Sequence, residues 1–167
     1  MNLTLIGMPG AGKSYIGKLL AERRGLEFLD VDRHLLEPTH GKQLQEILDA
    51  MGSERFMAWE EQLMIDHTKG KDGLLISPPG SIAHEPRALE HFRAISTVVY
   101  LMVPFETIEQ RIDTSRGVVG LGNKTLRELY DDRTRSYERN AHLIVDTEPL
   151  DLDGVLNLID NYLGLTR

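Results

Sequence analysis

The chain has 167 residues, enough for one domain with a real core. Its 26 acidic and 19 basic residues leave a formal charge of −7, which argues against a general nucleic-acid or anionic-membrane binder, because such proteins draw affinity from massed basic charge. Cysteine is absent, excluding disulfides, thiolate nucleophiles and cysteine-based zinc sites, and 41% hydrophobic with 27% charged residues is the composition of an ordinary globular protein.

The start, Met1-Asn2-Leu3-Thr4, has no basic leader region, and no apolar run approaches the ~18 residues of a membrane span. A soluble cytoplasmic monomer, with neither nucleic acid nor membrane as partner, is therefore expected. Leu3-Thr4-Leu5-Ile6 reads as a short buried strand stopped by Gly7. A helical period follows Gly12, with Ile16, Leu19 and Leu20 on one face and Gly25 as its stop. Glu27 to Asp32 predicts a second strand, and two apolar stripes predict helices around Leu44–Met51 and Phe56–Met64. Trp59 and Met64 are expected in the core. Leu74-Leu75-Ile76 is a third strand, ended by Ser77-Pro78-Pro79-Gly80, where the prolines and glycine forbid a regular continuation. A helix near Glu85–Phe92 precedes a fourth strand over Ile95–Leu101, rich in β-branched residues. Another helix starts near Phe105, a glycine-rich stretch covers 114–123, and a long helix begins near Lys124. His142–Val145 is a fifth strand, and Leu152 to Leu163 has the period of a last amphipathic helix. Strands alternating with helices give βαβ units, hence an α/β fold with a parallel sheet covered on both faces, here as a single domain over 1–167. The 114–123 stretch reads as a flap carrying Arg116.

Gly7-Met8-Pro9-Gly10-Ala11-Gly12-Lys13-Ser14 matches G-x-x-x-x-G-K-[ST] and lies between a strand and a helix, where that motif works. Its glycines let backbone N–H groups turn inward around a phosphate, and the following helix adds unpaired amides and the positive end of its dipole. Lys13 would reach the β- and γ-phosphates and the Ser14 hydroxyl would bind Mg²⁺. An ordinary glycine-rich turn is the bland reading, but average residue frequencies put a chance match on the order of 1 in 200 for a chain of this length. The segment therefore predicts a nucleoside-triphosphate site.

Asp30 and Asp32 stand two apart at the end of the second predicted strand, so period-two geometry puts both carboxylates on one face, at the sheet edge where open α/β folds bind ligands. One could hold Mg²⁺ while the other takes a proton from an attacking hydroxyl; alternatively, Asp32 caps the next helix. On the long helix, Arg133 shares a stripe with Leu126, Leu129, Tyr130 and Tyr137. An arginine on such a face either pairs with a buried acid or faces a ligand cavity. Arg111 and Arg116 flank or enter the glycine-rich stretch, where an arginine can stabilise a phosphoryl group in transfer or can simply be solvated. Methionine on a helix, as at Met57, is ordinarily core filling. The six histidines show no paired metal spacing and are taken as surface or loop residues.

Taken together, the run Leu5 to Ala21, Leu29-Asp30-Val31-Asp32, the Gly41-Lys42 turn, Phe56, the Glu60-Glu61 pair, Arg116 and Arg133 before Tyr137 resemble a shikimate kinase over roughly Leu3 to Thr147. The resemblance implies a nucleoside-monophosphate-kinase-like, three-layer P-loop kinase fold: a five-stranded parallel sheet, an acceptor-binding helical segment about 32–68 and a lid about 114–123. It implies ATP and Mg²⁺ as cofactors and a small hydroxylated metabolite as partner. Gly7, Gly10, Ala11, Gly12, Tyr15 and Arg111 would join Lys13 and Ser14 around the nucleotide, with Arg111 near the adenine. Ser14 and Asp30 would serve the metal, and Lys13, Asp32 and Arg116 the chemistry, Asp32 as base. Asp32, Met57, Pro79, Gly80 and Arg133 would face the acceptor.

Two departures touch the acceptor. The family places an arginine after the phenylalanine matched by Phe56, where it binds the substrate carboxylate; here that residue is Met57. The family's triple glycine after the third strand is Pro78-Pro79-Gly80, and proline has no N–H to donate. Arg116 also precedes Gly117 where the family usually has proline. A less anionic polyol or an amino-acid-like alcohol, meeting Arg133 alone, fits these changes better than shikimate. An authentic shikimate kinase with a divergent site, a nucleoside monophosphate kinase, and a nucleotide-binding protein that has lost phosphoryl transfer stay open as alternatives, although between Gly41 and His67 only Arg55 could serve a second nucleotide.

Overall fold

Alternation along β1 (Leu3–Ile6) sends Leu3 and Leu5 into one apolar layer and Ile6 into the other, which is the pattern of a strand buried on both faces. The computed structural model describes residues 1–112 and 124–165; the predicted flap 114–123, with Arg116, lies outside them. After β1 come α1 (Lys13–Arg24), β2 (Glu27–Asp30), a wide helical turn over Asp32–Leu36 running into α2 (Glu37–His40), α3 (Leu44–Met51) and α4 (Ser53–Thr68). Then follow β3 (Leu74–Ser77), a tight helical turn over Gly80–His84, α5 (Pro86–Ile95), β4 (Thr97–Met102), α6 (Phe105–Arg111), α7 (Leu126–Asn140), β5 (Leu143–Asp146) and α8 (Leu152–Leu165). The five strands form one parallel sheet in the order β2-β3-β1-β4-β5. Leu3 and Leu5 meet Ile16 and Leu20 of α1 and Ile159 and Leu163 of α8 in one layer; Ile6 and Ile76 meet Phe56 and Met64 of α4, Phe92 of α5 and Tyr137 of α7 in the other.

The helix after β1 and the helix after β3 thus cover opposite faces, and the sheet opens into a crevice beyond the carboxyl ends of these adjacent strands. Gly7, Asp30 and Ser77-Pro78 all sit at that edge.

Several predicted bounds move. β2 stops at Asp30 because Val31 already has helical angles (φ −61°, ψ −45°), so Asp32 opens a helical turn instead of ending a strand. Asp30 and Asp32 therefore do not share a face by strand alternation; the turn of the helix brings them together. Ile95 ends α5 rather than starting β4, and α7 starts at Leu126, capped by Thr125, whose hydroxyl accepts the Glu128 N–H at 3.1 Å.

α1 lies against the sheet through Gly17, where a Cβ would fall 2.8 Å from the Phe28 ring and 3.1 Å from Leu75. A Gly17→Val change overpacks that contact and should lower stability by about 1–3 kcal/mol, read as a shift of the urea midpoint. An unshifted midpoint would show that α1 can lift off the sheet without cost.

Candidate active site

The loop after β1 turns on Gly10 and Gly12, whose φ values of +85° and +90° side chains rarely adopt. Gly12 is the left-handed residue from which α1 starts. The Ala11 N–H donates to the Met8 carbonyl at 3.0 Å, and the Lys13 ammonium bends back to donate to the carbonyls of Gly7 (2.7 Å) and Met8 (3.0 Å). The ammonium is thus held over the mouth of the loop. A Cβ on Gly10 would meet the Cβ of Arg111 at 3.3 Å, so Arg111 at the end of α6 borders the loop. Tyr15 is 65% exposed and turns its ring to solvent.

The Ser14 hydroxyl donates to Asp30 Oδ2 at 2.8 Å, joining the first turn of α1 to the end of β2. Asp30 is itself anchored: its N–H donates to His34 Nδ1 at 3.0 Å, and its carboxylate is buried. A hydroxyl and a carboxylate side by side are hard oxygen donors of the kind Mg²⁺ takes one or two of, beside phosphate oxygens.

Asp32 and Lys13 act on each other across the crevice. Burial pushes the Asp32 carboxyl up to about 8, reinforced by the neighbouring Glu60, Asp30 and Glu37 charges and opposed by Lys13. Burial and, less strongly, the Arg133 guanidinium bring the Lys13 ammonium down to about 8 against the pull of Asp32 and Asp30. Asp32 Oδ1 is buried and has no hydrogen-bond partner among the described residues.

Of the residues expected to face the acceptor, Arg133 and Gly80 lie against each other. Arg133 is 1% exposed, its Nε donates to His84 Nε2 at 3.3 Å, and it is hydrogen-bonded to Tyr137, whose hydroxyl donates to the Gly80 carbonyl at 2.5 Å. A Cβ on Gly80 would fall 2.6 Å from Pro9 Cδ and 2.9 Å from Arg133 Nη1, so the phosphate loop, the turn after β3 and α7 close on one another there. Pro78 and Pro79 are buried beside it, and Met57 is half-buried against the core under α4.

Beneath Arg133 lie two carboxyls. Glu60 accepts the Ser81 hydroxyl at 2.5 Å through Oε1, and it is hydrogen-bonded to Glu85, which starts α5. Burial raises both carboxyls above the ordinary range, so the pair holds a proton between them at neutral pH. Glu61, next along α4, does something different: its carboxylate accepts the Ala88 N–H at 3.1 Å and caps the first turn of α5. Nothing in the sequence singles out Glu85, since an acid just before Pro86 reads as an ordinary first-turn residue. His34 and His84, expected as surface or loop residues, are exposed, yet each also bonds inward: His84 accepts from Arg133 and His34 from the Asp30 N–H.

The family model for shikimate kinase matches residues 9–161. The chain belongs to the shikimate kinase family. It is 32% identical over 149 residues to the shikimate kinase of Persephonella marina, covering 88% of this chain and 89% of that one, and 35% identical over 153 residues to that of Xanthomonas euvesicatoria, covering 89% and 84%. A shikimate kinase from Acinetobacter baumannii, solved in complex with shikimate, superposes with a TM-score of 0.88 at 28% identity over 99% of this chain and 94% of that one. The chain is accordingly an ATP-dependent kinase with the P-loop kinase fold. Among the described residues, no helix is long and apolar enough to cross a membrane.

Asp32 makes stability pH-dependent with a definite sign. Its folded value near 8 lies above the ordinary 3.8, so the stability it contributes is complete below about pH 4 and is lost as pH rises through 8. Lys13 works oppositely: its stability contribution is present above about 10.5 and is lost as pH falls through 8. The melting temperature of the ligand-free protein should therefore fall more steeply between pH 5 and 8 for the unmodified chain than for Asp32→Asn. Parallel curves would mean that Asp32 does not hold its proton on folding.

Proposed function

We propose that the protein transfers the γ-phosphoryl group of ATP, with Mg²⁺, to a hydroxyl of a small metabolite other than shikimate. The unpartnered, buried Oδ1 of Asp32 carries this reading: an acceptor atom beside the phosphate loop wants a donor, and a substrate hydroxyl supplies one. The amides of Gly7 to Tyr15 and the Lys13 ammonium hold the triphosphate, Ser14 and Asp30 hold the metal, and Arg111 borders the adenine. Bound Mg²⁺ would offset the charge of the phosphate oxygens during transfer. Asp32 takes the hydroxyl proton as the acceptor oxygen bonds to the γ-phosphorus and the bond to the β-phosphate oxygen breaks, releasing ADP. A carboxyl titrating near 8 is a stronger base than an ordinary aspartate, and it serves in the molecules that have given up its own proton. Lys13, drawn toward loop carbonyls in the ligand-free chain, exchanges them for phosphate oxygens.

The acceptor is set by residues 32–68 together with the turn after β3 and α7. Met57 offers no donor at the place where the family has its carboxylate-binding arginine, and Pro79 offers no N–H. Losing one buried arginine–carboxylate contact costs about 2–5 kcal/mol, a large share of a small ligand's binding energy.

Lys13→Ala should reduce ATP turnover on the order of 10²–10³-fold. Asp32→Asn should keep nucleotide affinity in calorimetry while kcat falls on the order of 10²-fold or more; an unchanged kcat would remove Asp32 from the chemistry. Shikimate itself should be phosphorylated weakly in a coupled ADP-release assay. Efficient turnover at micromolar shikimate would instead make the protein an authentic shikimate kinase with a divergent site.

A further inference from the structure

Arg133 has a long side chain whose planar head has to be aimed. Its Nε carries a single N–H, and that N–H donates to His84 Nε2 at 3.3 Å. Nη1 lies against Gly80, where a Cβ would fall 2.9 Å from it, and Tyr137 is hydrogen-bonded to the same head. A planar fork bonded on one edge and packed on the other has its direction set, which is what recognition of a ligand by arginine needs.

The bond to His84 carries a chemical condition. A guanidinium only donates, so His84 Nε2 must offer its lone pair, and the ring is then neutral with its proton on Nδ1. A protonated ring would set donor against donor and cation against cation. The surroundings favour the neutral form. Partial burial, then the Arg133 and Lys124 charges, hold His84 below the usual 6.5, opposed by Asp132, which is itself paired with Lys124. Arg135 of α7 and Glu90 and Arg93 of α5 line the groove that His84 borders, while Glu60 and Glu85 lie beneath Arg133. His84 is exposed, so it exchanges protons with solvent although Arg133 is buried.

The turn over Gly80–His84 does not depend on His84 for its place. The Tyr137 hydroxyl donates to the Gly80 carbonyl at 2.5 Å, the Ser136 hydroxyl to the Ala83 carbonyl at 2.7 Å, and the Ser81 hydroxyl to Glu60 of α4 at 2.5 Å. The His84–Arg133 bond therefore adds aim and not docking.

We propose that His84 is a positioning residue for the acceptor: its neutral ring, protonated on Nδ1, holds Arg133 Nε and so directs the guanidinium at the substrate. Protonation of His84 ends that hold. This rests on the kinase reading in which Arg133 faces the acceptor.

The test uses the full chain at saturating Mg-ATP and, as probe, whichever of shikimate, quinate, glycerate, myo-inositol and glycerol releases ADP fastest. His84→Ala should raise the acceptor KM about tenfold and leave kcat and the KM for ATP within about twofold. His84→Gln, whose amide oxygen accepts at a similar reach, should bring the acceptor KM back to within about threefold. As pH falls below 6.5, the acceptor KM should rise in the unmodified chain and stay level in His84→Gln. Asp32 and Lys13, which titrate near 8, are present in both chains and drop out of that comparison. A further readout needs no acceptor: in heteronuclear NMR, the Arg133 Nε–H should exchange with water about tenfold faster in His84→Ala than in the unmodified chain or His84→Gln. An acceptor KM unchanged in His84→Ala, a raised one that does not vary with pH, or equal Nε–H exchange in all three chains would overturn the positioning role. Arg133→Lys separates that failure from a failure of the reading beneath it. A KM raised in Arg133→Lys but not in His84→Ala removes His84 alone, whereas a KM unchanged in both removes Arg133 from the acceptor as well. No ADP release with any probe, in protein that still binds Mg-ATP by calorimetry, would overturn the kinase reading and the role of His84 together.

Discussion

Two cations, the half-buried Lys13 and the buried Arg133, hold together a site whose other charged members are carboxyls. Lys13 is fastened to the carbonyls of its own loop and faces Asp30 and Asp32; Arg133 reaches across from α7 to lie over Glu60 and Glu85. Like charges buried together would otherwise repel, and unpaired ones would be lost to water at a cost of several kcal/mol each. The consequence is a set of mutually adjusted protonation states. Asp32 is pushed up and Lys13 down until both titrate near 8, and Glu60 and Glu85 share a proton beneath Arg133.

The sheet makes this arrangement reachable. Because α1 and α5 leave β1 and β3 on opposite faces, the crevice between those strands collects residues far apart in the chain: the phosphate loop, Asp30 and Asp32 from β2 and its following turn, and Gly80 with Ser81 from the turn after β3. Packing then tightens it. Gly80 lies so close to Pro9 and Arg133 that no side chain fits, and the Tyr137 hydroxyl fastens the same carbonyl from α7. The phosphate loop, the turn after β3 and α7 are thus in direct contact.

The two sides of the crevice are built differently. The phosphate loop runs from the left-handed Gly12 into α1, where the Ser14 hydroxyl is hydrogen-bonded to Asp30. Beneath Arg133 the buried carboxyls of Glu60 and Glu85 are hydrogen-bonded to each other, while Met57 lies against the core and Pro79 is buried beside Gly80.

Local order was legible in the chain itself. Every strand and all the longer helices follow from apolar period and from glycine and proline punctuation, and the phosphate loop declares itself because its glycines, lysine and serine are contiguous and the backbone does the binding. Arg133 was marked by standing on an apolar stripe, and its burial agrees. The end of β2 was not legible, since Val31 favours a strand by propensity and only packing of the next helix turns it. Nor could periodicity pair Glu60 with Glu85, or Arg133 with His84, because these partners lie 25 and 49 residues apart and meet only where α4, α5 and α7 converge. The sequence by itself determined the fold class and the binding of a triphosphate, both carried by short-range patterns. The charge balance of the acceptor pocket was decided only by tertiary structure, because burial and electrostatic coupling depend on distances through space that no spacing along the chain encodes.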